Sequence, residues 1–504
     1  MRQIVWIAVC ALPALGATCE SLTSLRLSNA TVTSAVSIIG SREYSPPASK
    51  GGSLRVRDLP AFCQLKMTLT PSSDSDIKME VWLPVAGWNG KFEGTANGAY
   101  AGRIDEGALG DALRRGYAAA NTDTGHTENS GKFALGHPEK TIDFGYRAVH
   151  EMSVKAKAVV TAFYGTAPKL SYWNGCSTGG RQALQEAQKF PQDYDGIVAG
   201  APANNTTRMT MMQIGVGQAT LKDAASMITP AKFKAIHEAV LAACDAHDGV
   251  KDGVLENPMR CKFDPQVLAC REAESDACLT GPQIAAARRI YAPVANPRTK
   301  EYIYPGLEPG SELGWSMMLG PEPFSYANDF WKYMVTKDPS WDFKTLNFET
   351  DLAKALKEDH GVVDATDANL APFFAHGGKL IQYHGWSDPG IAPENSVNYY
   401  NKVVDTLGGR AKTMSEYRLF MVPGMAHCRG GEGTDTFDML GALEQWVEHG
   451  KAPDQITASK LAKDGSVERT RPLCPYPQEA VYRGSGSTNE AANFRCGLPN
   501  GSPK

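Results

Sequence analysis

The sequence lacks any long apolar run past its first residues, any basic cluster and any internal repeat. Beyond residue 15, no stretch reaches the roughly 18 apolar residues of a membrane-spanning helix, so no membrane partner is predicted. The formal net charge is −4 over 504 residues, and with no run of lysine and arginine a nucleic-acid partner is not predicted either. With 42% apolar and 21% charged residues, the composition is typical of a globular chain of about two domains.

The first 17 residues have the pattern of a secretory signal peptide. Arg2 precedes an apolar stretch over residues 4–15, and the small residues Ala14, Gly16 and Ala17 provide a cleavage site. We therefore predict a signal peptide over residues 1–17 and a secreted or periplasmic protein.

The cysteine count agrees with export. Of eleven cysteines, Cys10 lies in the predicted signal peptide, and the even number that remains suggests disulfides in an oxidising compartment. Short spacing makes three local pairs plausible and leaves four cysteines for long-range bridges. The local pairs are Cys244–Cys261, Cys270–Cys278 and Cys474–Cys496, and the other four cysteines are Cys19, Cys63, Cys176 and Cys428.

The order of predicted elements divides the mature chain into three parts. Residues 18–204 alternate strands with helices, which is typical of parallel βαβ units. Residues 205–372 are rich in methionine, proline and cysteine and show helices without alternating strands, so we predict an inserted domain there. Strand and helix patterns resume over residues 373–504. The prediction is one α/β domain interrupted by a lid.

A nucleophile motif occupies the centre of the first part. Residues 170–173 form a short apolar strand pattern and residues 181–190 a helix pattern, and between them Gly175-Cys176-Ser177-Thr178-Gly179 matches the G-x-S-x-G elbow. A plain tight turn is the alternative interpretation. As an elbow, the turn presents Ser177 as the nucleophile and directs the amide of Thr178 at a developing oxyanion.

An elbow serine needs a base and an acid, which follow it in the chain in α/β-hydrolases, the acid first. Asp388 comes just after the predicted strand at 379–384, and His427 just after the one at 417–422. We predict a Ser177-His427-Asp388 triad. The alternatives are His384 and His126 for the base, and Asp435 and Glu394 for the acid.

The neighbours of the predicted nucleophile and base are both cysteines. Cys176 precedes Ser177 and Cys428 follows His427. If the serine and histidine touch, a disulfide between these neighbours becomes geometrically reasonable and would fix two catalytic loops about 250 residues apart.

Three motifs together resemble the tannase/feruloyl esterase family, which includes mono(hydroxyethyl) terephthalate hydrolase. They are the Gly-Cys-Ser-Thr-Gly-Gly elbow, the Gly-Trp-Ser-Asp-Pro segment around Asp388 and the Gly-Met-Ala-His-Cys segment around His427. The resemblance extends from about Cys19 to Cys496. It implies an α/β-hydrolase fold with a large inserted lid, and the amide of Gly98 as a second oxyanion donor. It also implies five disulfides: Cys19–Cys63, Cys176–Cys428, Cys244–Cys261, Cys270–Cys278 and Cys474–Cys496.

An aspartate-rich turn in the predicted insertion is a candidate metal site. Asp245, Asp248 and Asp252 lie within eight positions beside two glycines, a pattern that suits either a solvated turn or a hard cation that prefers oxygen ligands. The resemblance implies a structural calcium ion here, with Val250 and Val254 as carbonyl ligands. Zinc is not predicted, because His247 stands alone.

We predict a secreted serine carboxylic ester hydrolase. The resemblance implies small esters of aromatic acids as its substrates, above all hydroxycinnamates such as ferulate, which can be carried on plant cell-wall polysaccharide. Tannase or mono(hydroxyethyl) terephthalate hydrolase activity is the alternative within the family. A non-catalytic polyphenol- or glycan-binding protein is the alternative from another class. Lid aromatics can form pocket walls or ordinary core, and the candidates are Trp315, Phe324, Tyr326, Phe330 and Trp331.

Overall fold

A nine-stranded mixed sheet forms the centre of the molecule. The computed structural model describes residues 17–44, 56–100 and 102–498; the predicted signal peptide, with Cys10, lies outside them except for Ala17. In chain order the strands are β1 (Ala30–Ile38), β2 (Phe62–Leu69), β3 (Ile77–Pro84), β4 (Lys91–Thr95), β5 (Ala118–Thr122), β6 (Leu170–Cys176), β7 (Gly196–Gly200), β8 (Lys379–Gly385) and β9 (Tyr417–Val422).

The strand order in the sheet is β1-β2-β3-β5-β4-β6-β7-β8-β9. Along this order, the pairings that join β1, β2, β3 and β5 are antiparallel. Every pairing after β5 is parallel. All residues of β5 and β7 are buried, as expected for strands covered on both faces. The carboxyl ends of β6, β8 and β9 therefore lie along one edge of the sheet, where ligands bind in such folds.

Five helices cover the two faces of the sheet: α1 (Glu106–Arg114), α2 (Ala148–Tyr164), α3 (Thr178–Lys189), α4 (Glu394–Leu407) and α5 (Met439–His449). Apolar residues of α2, α3 and α4 share one core with one face of the sheet. Those of α1 and α5 share a second core with the other face.

Residues between β7 and β8 form a body whose hydrophobic core also includes residues outside the insertion: Tyr100, Ala134, Phe144, Ile391 and Ala392. Its principal helices are Thr206–Leu221, Pro230–Cys244, Gly281–Tyr291, Ser325–Asp329 and Asp351–Asp359, and its one short strand pair is Val294–Ala295 with Tyr302–Tyr304. No strand of the central sheet lies between residues 205 and 372.

The chain leaves the sheet domain and returns to it at one point, which we call the neck. There the amide of Ala365 donates to the carbonyl of Asn204 at 2.7 Å, and the Asn204 side-chain amide donates to the carbonyl of Ala365 at 3.2 Å. The exact boundaries at residues 204 and 372 remain predictions.

The remaining strands form small hairpins outside the central sheet: Ser41–Tyr44 with Val56–Leu59, Ile456–Leu461 with Val467–Leu473, and Glu479–Tyr482 with Phe494–Gly497. Short helices lie at Pro138–Ile142, Ala371–Ala375 and Arg410–Thr413, with π-helical turns at Asp143–Arg147 and Phe330–Val335. Among the described residues, no helix has both the length and the apolar character to cross a membrane.

Five disulfides link the chain: Cys19–Cys63, Cys176–Cys428, Cys244–Cys261, Cys270–Cys278 and Cys474–Cys496. These are the same five pairs that the family resemblance implies, and they include the three short-range pairs suggested by spacing.

Candidate active site

Ser177 lies on a sharp turn between β6 and α3. Its backbone has φ +66° and ψ −123°, a region that non-glycine residues rarely adopt and that is stabilised only by close surroundings. The surroundings are close because two glycines follow: a Cβ at Gly179 would overlap the side chain of Ala96, and one at Gly180 would overlap the carbonyl of Gly200. The Ser177 amide donates to that same Gly200 carbonyl at 3.0 Å.

The three residues of the predicted triad lie in one hydrogen-bonded chain. The Ser177 hydroxyl donates to His427 Nε2 at 2.9 Å, and His427 Nδ1 donates to Asp388 Oδ2 at 2.6 Å. Asp388 follows β8 and His427 follows β9, at the sheet edge that also carries the serine turn. Ser177 and His427 remain partly exposed while Asp388 is buried, so a substrate can reach the serine from solvent.

Asp388 is held by donors on both carboxylate oxygens. Oδ1 accepts from the amides of Gly390 and Ile391 at 2.8 and 2.9 Å, and Oδ2 accepts from His384 Nε2 at 3.1 Å besides His427. Burial alone would raise the pKa of Asp388, but the adjacent histidines outweigh burial and hold that pKa well below its ordinary value. These contacts therefore favour the ionised carboxylate.

The charge of Asp388 acts in turn on His427. Burial lowers the pKa of His427, but the charge of Asp388 and its hydrogen bond outweigh burial and raise that pKa above its ordinary value. A histidine with a raised pKa accepts a proton more readily, which suits a general base.

His384 is a member of the site whose role the sequence did not reveal. It was an alternative for the base, but its Nε2 donates to Asp388 and to the carbonyl of Ile391, both at 3.1 Å. Its Nδ1 accepts from the hydroxyl of Ser396 at 2.7 Å. His384 is fully buried and so supports the acid. The sequence signal for this role was the position of His384 at the end of β8, four residues before Asp388.

The second histidine and the two acids that competed for the triad have partners elsewhere. His126 bonds the carbonyl of Tyr100 and stacks on Phe133 with ring centroids 3.9 Å apart. Asp435 accepts from the amide of Gly430 at 2.8 Å. Glu394 accepts from the side chain of Asn398 at 3.2 Å. None of these contacts reaches Ser177 or His427.

The two predicted oxyanion donors belong to segments that are bonded together. Thr178 is buried, and its hydroxyl donates to the carbonyl of Ala99 at 2.8 Å. The amide of Asn97 donates to Gln182 Oε1 at 3.3 Å, and Gln182 Nε2 donates back to Asn97 Oδ1 at 3.1 Å. These bonds hold the loop that carries the exposed Gly98 against the start of α3. The roles of both amides remain predictions.

The Cys176–Cys428 disulfide joins the residues beside Ser177 and His427, with Cα atoms 6.1 Å apart across a sequence separation of 252. It therefore fixes the serine turn to the histidine loop.

Replacing both Cys176 and Cys428 by serine is expected to lower the melting temperature and kcat together. In the chain-entropy model, a loop of this length gives about 5 kcal/mol of stabilisation. Thermal unfolding and ester hydrolysis measure the two effects. The matched control is the double serine variant of Cys270 and Cys278, separated by 8 residues, which should leave kcat intact. Equal kcat in both double variants would contradict a role for the bridge at the site.

The aspartate-rich turn places its predicted calcium ligands in one loop. Gly249 and Gly253 have φ of +89° and +79°, which turns the chain around Asp245. The Asp245 carboxylate accepts from the amides of Asp252 and Gly253 at 3.3 and 3.1 Å. Asp248 accepts from the amide of Val250 at 2.8 Å. Burial, together with the like charges of Asp252 and Asp245, raises the pKa of Asp248 to about 6.

These groups fit calcium in donor chemistry, since they are carboxylates beside the backbone carbonyls of Val250 and Val254. The three carboxylates do not each bring an oxygen within 4.8 Å of the others. Asp252 also pairs with Arg471. Cys244 is bridged to Cys261, so it is not free to bind zinc.

The inserted body packs against the loop that carries Asp388. The side chain of Gln213 donates to the carbonyl of Gly390 at 2.9 Å. A Cβ at Gly314 would overlap Pro389, and one at Gly390 would overlap the side chain of Met317. The insertion therefore covers the loop that carries the acid.

The five aromatic residues considered as pocket walls differ in how far they are buried. Trp315, Phe330 and Trp331 are almost completely buried in the core of the insertion. Tyr326 stacks on Tyr100 of the sheet domain, with ring centroids 4.5 Å apart. Phe324 is partly buried.

Known proteins match the chain over most of its length. The sequence model of the family described as tannase and feruloyl esterase matches residues 63–497. An uncharacterized esterase of Xanthomonas campestris pv. campestris is 41% identical, over 95% of this chain and 91% of its own length. A probable feruloyl esterase B-1 of Aspergillus fumigatus is 34% identical, over 90% of this chain and 89% of that protein. The crystal structure of feruloyl esterase B from Aspergillus oryzae has a TM-score of 0.89 at 34% identity, covering 95% of this chain and 99% of that one.

These likenesses confirm two predictions made from the sequence. The fold is that of an α/β-hydrolase, with a mostly parallel sheet covered by helices on both faces. The protein is a carboxylic ester hydrolase. From the family match over residues 63–497 and the identity to esterases along most of the chain, it follows that the chain belongs to the tannase and feruloyl esterase family.

Proposed function

We propose that the protein is a serine esterase that cleaves esters of hydroxycinnamic acids, such as ferulate, through an acyl-enzyme. The observation that carries the chemistry is the hydrogen-bonded chain from Ser177 through His427 to Asp388. The acyl group is supported by the names of two relatives, one a feruloyl esterase and the other a probable feruloyl esterase.

In the proposed mechanism, Ser177 Oγ attacks the ester carbonyl while His427 Nε2 takes its proton. His427 then gives that proton to the leaving alcohol, and the acyl group stays on Ser177. A water molecule, deprotonated by His427, then attacks the acyl-enzyme in the same way and releases the acid. Asp388 keeps its charge throughout and stabilises the imidazolium. The amides of Thr178 and Gly98 donate to the oxyanion of each tetrahedral intermediate.

The test is the initial rate of the purified protein on methyl ferulate, methyl gallate and mono(hydroxyethyl) terephthalate. A preference for the ferulate ester supports the proposal, and a preference for gallate or terephthalate keeps the mechanism but overturns the substrate. A serine-directed phosphonate should label the protein and not its Ser177→Ala variant. Absence of labelling would favour a polyphenol- or glycan-binding protein instead.

The raised pKa of His427 predicts the acid limb of the pH profile. Since the base acts only when neutral, kcat/KM should fall about tenfold per pH unit below the pKa of His427. The midpoint should lie above about 6.5, the ordinary value for histidine, because Asp388 favours the charged form. A profile of kcat/KM measures it. A limb centred below about 6.5 would contradict this assignment of the base.

We also propose that the loop of Asp245, Asp248 and Asp252, with the carbonyls of Val250 and Val254, holds a structural calcium ion. Removing calcium with EGTA should lower the melting temperature, and calcium chloride should restore it while magnesium does not. At free calcium about 100 times Kd the stabilisation is about 2.7 kcal/mol. The Asp248→Asn variant should respond less than the wild type. A melting temperature unchanged by EGTA would contradict the proposal.

We propose further that the protein acts outside the cytoplasm, secreted or periplasmic, on small esters that can be attached to plant cell-wall polysaccharide. Five disulfides support an oxidising compartment. Fractionation of the producing cells, followed by an activity assay on each fraction, tests this location.

A further inference from the structure

A second cluster of metal-ligating side chains lies away from the serine. His150 is in the first turn of α2, Glu186 is in the last turn of α3, and Asp193 is in the segment that leads into β7. One ligand atom from each lies within 4.8 Å of the other two. Over residues 17–44, 56–100 and 102–498, this is the one group of three or more histidine, cysteine and acidic side chains that meets this spacing.

Glu186 is the unusual member of the cluster. It is 1% exposed, and neither of its carboxylate oxygens has a hydrogen-bond partner among the described residues. A buried carboxylate without a partner is costly, because it has lost its hydration and gained nothing in exchange. The chain can remove that cost by a proton on Glu186 or by a cation bound to it.

The positions of His150 and Asp193 allow a cation to bind beside Glu186. His150 Nδ1 donates to Asp193 Oδ2 at 2.6 Å, and their side chains are 29% and 14% exposed. The imidazole also stacks on Phe190, with ring centroids 3.8 Å apart, which fixes its plane. The cluster is thus open to solvent on one side and closed by Glu186 on the other, so an ion has a path of entry.

We propose that His150, Glu186 and Asp193 form a binding site for a first-row divalent cation, represented by Zn²⁺. One imidazole and two carboxylates are ligands that zinc accepts, and three protein ligands leave a position for water. Calcium and magnesium prefer oxygen alone. Binding would release the proton that His150 shares with Asp193.

One positive group lies near this site. Lys157 donates to the backbone carbonyl of Asp193. Burial, and after it the charge of Asp193, raises the pKa of Glu186 well above its ordinary value, and the charge of Lys157 offsets this only in part.

The ion would serve structure rather than chemistry. Glu186 is nine residues beyond Ser177 along α3, a distance of about 13 Å at the rise of an α-helix. A cation at this point would join α2, α3 and the entry to β7. It would stabilise the layer beneath the serine turn without contacting substrate.

The test uses full-length protein stripped with EDTA and returned to buffer containing calcium chloride, so that the aspartate-rich turn of the insertion is saturated. Zinc chloride is then added. Bound zinc is counted by mass spectrometry after gel filtration, its Kd is measured by competition with a chromophoric chelator, and the melting temperature is recorded. We expect one zinc ion per chain and a higher melting temperature.

Two variants and one control locate the ion. Glu186→Gln and Asp193→Asn should each weaken zinc binding by about 100-fold or more, above the cost of losing a supporting contact. Glu151→Gln makes the same type of change beside His150, at a residue that pairs with Lys155, and should bind zinc as the wild type does. Without zinc, Glu186→Gln should be at least as stable as the wild type, because it removes a buried acid. Ester hydrolysis verifies that each variant is folded.

Two results would overturn the proposal. The first is a wild type that binds no zinc, which would mean that Glu186 is neutralised by a proton. The second is zinc binding that survives both Glu186→Gln and Asp193→Asn, which would place the ion elsewhere.

Discussion

Replacing Ser177 by alanine is expected to lower kcat by about 10⁴- to 10⁶-fold, the range that follows loss of a catalytic serine. His427 and Asp388 would remain bonded but would have no hydroxyl to activate, so the acyl-enzyme could not form. Rates on methyl ferulate with a high concentration of the variant would measure what remains. That remainder reports binding and the oxyanion donors alone.

The control for this substitution is Ser171→Ala, six residues earlier in β6, where the same atom is removed at the far end of the strand. Its kcat should match the wild type. The melting temperature of Ser177→Ala should be equal to or above that of the wild type, since the turn no longer holds a polar group for catalysis. A variant that keeps more than a few per cent of the activity would show that another residue is the nucleophile.

Replacing Asp388 by asparagine is expected to lower kcat/KM by about 10⁴-fold. Asp388 Oδ2 accepts from both His427 and His384. An amide nitrogen at that position would face two donors, and an amide oxygen there would carry no charge to stabilise the imidazolium. Either orientation deprives His427 of the charge that raises its pKa. Steady-state kinetics on methyl ferulate measure the loss.

Asp435→Asn is the matched control, because Asp435 also follows Ser177 in the chain and competed with Asp388 for the role of the acid. Its carboxylate accepts from the Gly430 amide, so a small loss of stability is expected with kcat/KM within a few-fold of the wild type. If Asp435→Asn lost as much activity as Asp388→Asn, the assignment of the acid would be wrong.

The parts of the fold and the site that could be predicted from the sequence are those encoded by neighbouring residues. The serine turn needs glycine at positions 175, 179 and 180 because Ala96 and the Gly200 carbonyl lie against it. Those glycines are visible as a motif. The strands β6 and β7 are visible as short apolar runs because helices cover both faces of the sheet and bury them.

The parts that could not be predicted depend on packing between distant segments. His384 supports Asp388 only because α4 brings Ser396 against it. The contact of Tyr326 with Tyr100 joins residues 226 positions apart. The cluster of His150, Glu186 and Asp193 has no spacing that a motif describes, since it forms where two helices and a loop meet.

The neck has a consequence for how the family can diversify. The chain enters and leaves the insertion through one hydrogen-bonded pair, Asn204 and Ala365. Segments whose ends lie together can be lengthened, shortened or exchanged at small cost in loop closure. Evolution, or a protein engineer building chimaeras at this pair, can therefore exchange the insertion as one unit. The exchange leaves the sheet in place, but a replacement has to restore the contact that Gln213 makes with the carbonyl of Gly390 beside Asp388.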